Sequence, residues 1–266
     1  MFIFEIVTPG IQLDHEDRDW SFKIFGQLIH LKSQFFQANL ALNLLIGSRS
    51  VAPERRNKEE EWFSDRDRHL AIRETLLQED REFWMTQNED DIRFEADVRL
   101  KQEKWRNGKI PREFENKLPL MHARAFLYAL DGFDKFLGVL AKEKGVPEQV
   151  AQFHTQFGEA FPHLRGVRNT AQHLEDRARG LGAGFRGRPP EPLDLKPLSN
   201  WIVDAPAGNA LILGGLNGSR YGSTMADGHY GEIDVSAESM QRLQKILEGV
   251  LQSFKWTGPK HHEPSA

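Results

Sequence analysis

Four stretches of this chain place apolar side chains every three or four residues, and that repeat limits the fold more than any other feature. Such spacing turns one stripe of an α-helix toward a core and leaves the rest in water. In the first stretch, Asp14 and Asp17 offer carboxylates ahead of a helix over 18–47. Phe22, Phe25, Ile29, Phe36, Leu40 and Leu44 form its stripe and Gly47 suits its stop. The second, over 117–144, carries Met121, Ala125, Tyr128, Leu130, Phe133, Phe136, Leu137 and Leu140, an apolar surface broad enough for a central helix. Pro119 falls early in it, and Lys142, Lys144 and Gly145 end it. The third, over 147–179, opens at Pro147 and joins Val150, Phe153, Phe157 and Ala160 to Leu164, Val167, Ala171, Leu174 and Ala178. Pro162 suits a kink or a fresh first turn within it. The fourth, over 237–255, is capped by Ser236 and turns Met240, Leu243, Leu247, Val250, Leu251 and Phe254 inward.

Between the third and fourth stretches the grammar changes. Trp201 to Val203, Ala210 to Leu213 and Tyr230 to Val235 are apolar or β-branched runs separated by Asn217-Gly218 and Asp227-Gly228. Asn-Gly and Asp-Gly are hairpin turns, so residues 200–235 should form a small antiparallel meander. Residues 2–7 favour a short strand, and the 258–266 tail should be flexible. The Gly- and Pro-rich stretch from Gly180 to Pro197 lacks any period and reads as a loop. Residues 52–110 interleave both charges. Leu70, Leu76, Leu77 and Trp84 keep a helical period to about 87, whereas Ile92, Phe94, Ala96, Val98 and Leu100 alternate like a strand in a stretch otherwise suited to helix. That segment is either a solvated, ion-paired protrusion or an arm that binds a partner. The fold class is therefore mainly α: one domain over 1–266 built on a four-helix bundle, with a charged insertion at 52–110 and a β-meander before the last helix.

Composition narrows the chemistry. The 266 residues contain no cysteine, so disulfides and thiolate metal sites are excluded. Neither a basic, apolar leader nor a run of about 18 apolar residues occurs, which gives the expectation of a cytoplasmic protein without membrane contact. Net charge is −4, which argues against indiscriminate coating of nucleic acid. One region departs from that balance. Arg165, Arg168, Arg177, Arg179, Arg186 and Arg188 lie within a short span opposed by Glu175 and Asp176.

The same span holds the candidate site. Arg165, Asn169, Gln172, His173 and Asp176 lie off the apolar stripe and Arg168 at its border, so a guanidinium, an amide and an imidazole share one surface. An imidazole with an ordinary pKa of about 6.5 exchanges protons near neutrality. An arginine fork suits developing phosphate charge, and Asn169 could orient the imidazole or bind phosphate. The plain alternative for His173 is an exposed helical histidine beside Asp176. Arg165, Arg177, Arg186 and Arg188 are the candidate phosphate contacts, with Phe185 placed to stack on a base. No metal or cofactor is expected: His154, His163 and His173 are too far apart in sequence for one ligand set, and glycines 214–218 lack the Gly-Lys-Ser/Thr ending of a phosphate loop.

Arg168-Asn169-Thr-Ala-Gln-His173 resembles the arginine, polar residue and histidine motif of the HEPN superfamily, helical-bundle domains of which many are metal-independent ribonucleases of toxin–antitoxin and phage-defence systems. The resemblance implies an endoribonuclease with Arg168, Asn169 and His173 as catalytic residues. It further implies a homodimer in which two motifs face one groove, with RNA as substrate and an antitoxin or other protein as partner. Its alternative implication is a non-catalytic module that binds nucleotide, RNA or protein. Some HEPN toxins carry a modifiable tyrosine two residues after the histidine; here that position is Glu175.

Overall fold

The computed structural model describes residues 1–50, 58–79, 86, 88–184, 189–199 and 203–265. Arg186 and Arg188 lie outside them, as do Phe185, Trp201, Ile202 and the 80–85 end of the expected second helix. The chain is mainly helical, with short antiparallel sheets. The helices described are α1 (Arg18–Ser50), α2 (Lys58–Glu79), α3 (Glu89–Arg106), α4 (Arg112–Leu140), α5 (Gln149–Ala160), α6 (Leu164–Gln172), α7 (Leu174–Ala178) and α8 (Ala237–Gln252). The chain divides into two compact units, one of residues 1–47 and 119–266, the other of residues 48–118.

In the larger unit one apolar cluster takes side chains from α1, α4, α5, α6 and α8. Phe133 of α4 stacks on Phe157 of α5 at 5.5 Å between ring centres, and Phe157 meets Phe161 at 5.0 Å. Each fully buried side chain of this size contributes about 1.5–3 kcal/mol. The face of α1 that enters the cluster is not the expected one. Ile24, Leu28, Leu31, Phe35, Ala38, Leu42 and Leu45 are buried, while Phe22 is 83% exposed and Ile29, Leu40 and Leu44 are also exposed. The reason lies in the repeat: the buried set alternates steps of four and three without a gap, whereas the expected set is interrupted at Lys32 and Ser33. An unbroken stripe buries more area per turn, so it wins the core.

Other expectations are corrected in detail. Helix α1 runs through Gly47, and α4 begins at Arg112, which leaves Pro119 inside it. On α4, Met121 and Tyr128 are exposed, while Ala123, Phe126 and Leu127 are buried with Leu130, Phe133, Leu137 and Leu140. The 147–179 stretch is three helices: α5 ends at Ala160 ahead of Pro162, and α6 ends where His173 turns to φ −119°, ψ 47°. Residues 210–213, all of them described, do not form the expected strand. Ile212 instead joins the sheet through a single residue, its carbonyl accepting the Thr224 N–H at 2.7 Å.

The sheets follow the turn residues. Strands β1 (Ile6–Thr8), β2 (Gln12–Leu13), β3 (Leu198–Ser199), β4 (Asp204–Ala205), β5 (Gly215–Asn217), β6 (Arg220–Thr224), β7 (Tyr230–Asp234), β8 (Trp256–Thr257) and β9 (His261–Glu263) are all paired antiparallel. The meander β5-β6-β7 turns at Gly218 and Gly228, both with positive φ, as Asn-Gly and Asp-Gly predict. Ser236 accepts the Ser239 N–H and so caps α8. Within the tail expected to be flexible, His261–Glu263 form β9 and pair with β1, and just before it β8 pairs with β2. The anchor of β9 is polar, which apolar periodicity does not register. Glu263 accepts hydrogen bonds from Lys32 Nζ at 2.7 Å and Thr8 Oγ1 at 2.8 Å.

The smaller unit is a helical hairpin. Ile72 and Leu76 of α2 pack on Ala96 and Leu100 of α3. Around that thin seam run ion pairs from Arg68 to Glu103, His69 to Asp97, Arg73 to Glu89, Arg99 to Glu79 and Lys104 to Asp65. The 92–100 alternation is therefore helical, not extended. Asn88 caps α3 by accepting the Asp91 N–H, three acidic residues fill its first turn, and Lys104 and Arg106 its last. Ile92, Ala96 and Leu100 face inward at steps of four, and Phe94 remains exposed.

The Lys32–Glu263 pair gives a pH-dependent test. Burial alone would raise the Glu263 pKa, but the hydrogen bonds from Lys32 and Thr8 and the Lys32 charge hold it below the usual carboxylate value. The stabilisation is then complete above the unfolded-state pKa of about 4.3 and is lost as pH falls through the lower folded value. Glu263→Gln should cost about 1–3 kcal/mol at pH 7. Thermal denaturation should show the gap narrowing at pH 3; an equal gap at both pH values would contradict the assignment.

Candidate functional site

Helix α6 is the shortest path between the core and the candidate residues. Leu164, Val167 and Thr170 are its buried side. Thr170 Oγ1 donates to the Thr224 carbonyl at 2.8 Å, which ties α6 to β6. Gly166 permits the close approach, since a Cβ there would lie 2.2 Å from Met225 Sδ. These contacts fix the rotation of α6 and hence the directions of Arg165, Arg168 and Asn169.

Arg168 does not stand free. Its Nε donates to Asp131 Oδ1 at 2.8 Å and its Nη1 to Gln172 Oε1 at 2.8 Å. Among the described residues Nη2 has no hydrogen-bond partner. Asp131 comes from α4, is buried, and also pairs with Lys135 Nζ at 2.6 Å. The guanidinium, with its side chain only 16% exposed, is thereby held in one orientation. Sequence reasoning missed Asp131, although a signal existed: it is a carboxylate between Leu130 and Phe133 on a broadly apolar helix. A charge on a buried stripe demands a partner.

His173 leaves the end of α6. Its backbone N–H still donates to the Asn169 carbonyl at 3.0 Å, and its side chain is 57% exposed. The nearest carboxylate is Glu175, at 3.9 Å from Nδ1, and not Asp176, which pairs with Arg179 at 2.6 Å. Among the described residues, ligating atoms of His173, Glu175 and Asp176 lie within 4.8 Å of one another, a spacing open to a metal ion, although Arg179 already occupies Asp176.

The expected phosphate contacts divide. Arg165 is exposed, and together with Asn169 it lines a cleft of about 530 Å³ between α6 and the β6–β7 turn, shared with His163, His229 and Tyr230. Arg177 is not a phosphate contact. It is 1% exposed and its Nη1 donates to the carbonyls of Leu181 at 2.5 Å and Gly182 at 2.7 Å, closing the loop that follows α7. Burial lowers its pKa, opposed by the Asp176 and Glu175 charges. Burial also raises the pKa of the Tyr230 phenol, with Glu232 adding to the effect, so that hydroxyl remains a neutral donor. Sequence reasoning weighed His163 only as a metal ligand and passed over His229 and Tyr230, because only folding brings the β6–β7 turn beside α6.

The two arginines should therefore separate by experiment. Arg177→Ala leaves two buried carbonyls without a donor and should destabilise the fold by about 2–4 kcal/mol. Arg165→Ala, at an exposed position, should change stability by no more than about 0.5 kcal/mol. Chemical denaturation of both variants checks this, and equal losses would contradict it.

No helix among the described residues is long and apolar enough to cross a membrane. Comparison with protein-family models, with curated proteins and with solved structures finds no match.

Proposed function

We propose that this chain is a metal-independent endoribonuclease of the HEPN type, in the toxin or phage-defence manner, with Arg168 and His173 as its catalytic pair. The observation that carries the reading is the contrast within one helical turn. Arg168 is fixed by Asp131 and Gln172, while the His173 imidazole is exposed at the end of the same helix. Fixed positive charge stabilises a phosphorane without reorganisation, and a free imidazole can take up or release a proton.

The reaction needs no metal. A base removes the 2′-hydroxyl proton, the 2′-oxygen attacks phosphorus, and the bond to the 5′-oxygen breaks as an acid protonates it. The products are a 2′,3′-cyclic phosphate and a 5′-hydroxyl. One copy offers one such imidazole, so the second proton transfer falls to His173 of another copy across a shared groove. Asn169 would steady the phosphate or the imidazole. The setting is cytoplasmic, and an antitoxin or other protein would restrain the activity.

A second reading has its own support: Asp131 and Gln172 already use Nε and Nη1 of Arg168, which suits a module that binds nucleotide, RNA or protein without cleaving it.

Purified protein should cleave RNA in the presence of a chelator, and sedimentation should show a dimer at micromolar concentration. Arg168→Ala and His173→Ala should each lower the rate by roughly 10²–10⁴-fold, and the double variant should lose little more than either single one. Loss of cleavage on chelation would turn attention to the His173, Glu175 and Asp176 group. Absence of cleavage, with RNA still bound, would leave the binding module.

A further inference from the structure

The cleft between α6 and the β6–β7 turn takes no side chain from the Arg168–His173 pair, yet it gathers three kinds of chemistry in one place. At one edge stands Arg165, exposed and without a carboxylate partner among the described residues. The floor is apolar: Met225 packs beneath Gly166 and Gly231, and the ring of Tyr230 flanks it with its hydroxyl tucked over Gly222. One turn along the same helix from Arg165 is the Asn169 amide, which both donates and accepts, and the Asp227 carboxylate lines the cleft from the β6–β7 turn.

The turn that carries Asp227 is braced before any ligand arrives. Met225 N–H donates to the His229 carbonyl at 2.7 Å, Gly228 N–H to the Met225 carbonyl at 3.0 Å, and His229 N–H to Asp227 Oδ1 at 3.1 Å. The His229 ring lies 3.5 Å from the other Asp227 oxygen. Met225 cannot drop out of the floor, since Gly166 and Gly231 close on it from two sides. The volume of about 530 Å³ lies inside the range of roughly 300–1,000 Å³ of small-molecule sites.

We propose that this cleft holds one ribonucleotide unit: its phosphate at Arg165, its base over Met225 and Tyr230, and its ribose hydroxyls donating to Asp227. A carboxylate facing the sugar accepts from the 2′-hydroxyl of a ribose, a donor that a deoxyribose lacks. It also repels a second phosphate, which sets a monophosphate apart from a di- or triphosphate. Asn169 links the cleft to the proposed catalytic residues, because its side chain lines the cleft while its carbonyl accepts the His173 N–H. The subsite rests on the nuclease reading only for the cleavage step, not for binding. The ligand itself is either a free nucleotide or one nucleotide of an RNA chain.

Calorimetric titration of the full chain with AMP, dAMP, inorganic phosphate, a hexamer of riboadenylate and its deoxy counterpart tests the proposal. Binding of AMP or of the RNA hexamer is expected, at least about tenfold tighter than its deoxy counterpart, with phosphate alone much weaker. Arg165→Ala should weaken that binding about tenfold, a loss of about 1.4 kcal/mol. Asp227→Asn should erase the preference for ribose. Binding of AMP identifies a free nucleotide as sufficient, and binding of the hexamer alone identifies the polymer as the source; both support the subsite. No binding of either, or binding that neither Arg165→Ala nor Asp227→Asn alters, overturns it. Binding that matches these expectations without any cleavage would defeat the nuclease reading and keep the subsite.

Discussion

A carboxylate sits where the core should be apolar, and the arrangement around α6 depends on it. Asp131 lies on the buried side of α4, among phenylalanines and leucines. An isolated charge there would cost several kcal/mol in lost hydration. Arg168 and Lys135 supply the opposite charge, and Arg168 can do so only if α6 lies alongside α4 with that face turned inward. The apolar contacts of Leu164 and Val167 bring α6 down, but such contacts are non-directional. The ion pair, the Thr170 hydrogen bond and the fit of Gly166 on Met225 set its rotation. Polar geometry thus specifies what hydrophobic burial alone leaves loose, and it does so at the helix that carries Arg165, Arg168 and Asn169.

Much of the fold could be read from periodicity, and the failures have physical causes. The last helix was legible to the residue at its start, because Ser236 is a strong cap, although it ends at Gln252 and not at 255. The first was legible as a helix but not as a face. It is apolar on two sides, and only the length of the unbroken repeat from Ile24 to Leu45 decides between them. The β-turns were legible because glycine at positive φ comes after Asn217 and Asp227, whereas the strand bounds slipped, as Ala210 to Leu213 carries β-favouring residues with one pairing partner. Alternation at 92–100 left strand and helix undecided, because it also satisfies steps of four.

Of the site, the local part was legible and the distant part was not. Arg168, Asn169 and His173 are neighbours in sequence, so spacing alone put them on one helical surface, although His173 falls just past the end of α6. Asp131, Met225, Asp227 and Tyr230 come from segments tens of residues away, and nothing local marks them as companions. Arg177 failed for another reason. An arginine looks exposed in any sequence, and only the carbonyls of Leu181 and Gly182 show that this one is a structural strut.

The pairing of β1 with β9 joins residues near the two ends of the chain, and that has a consequence for synthesis. Residues 6–8 leave the ribosome early, but their strand partner at 261–263 emerges some 250 residues later. At typical elongation speeds of about 5–20 residues per second, the first strand waits for roughly a quarter of a minute to a minute with an open edge. Exposed strand edges invite pairing with other chains. The apolar Phe2, Ile3 and Phe4 lie beside that edge, and the backbones of Phe2 and Phe4 bond to the amides of Asn39 and Asn43 on α1. Those two asparagines, which have no part in the site, therefore tether to α1 the segment that runs into β1.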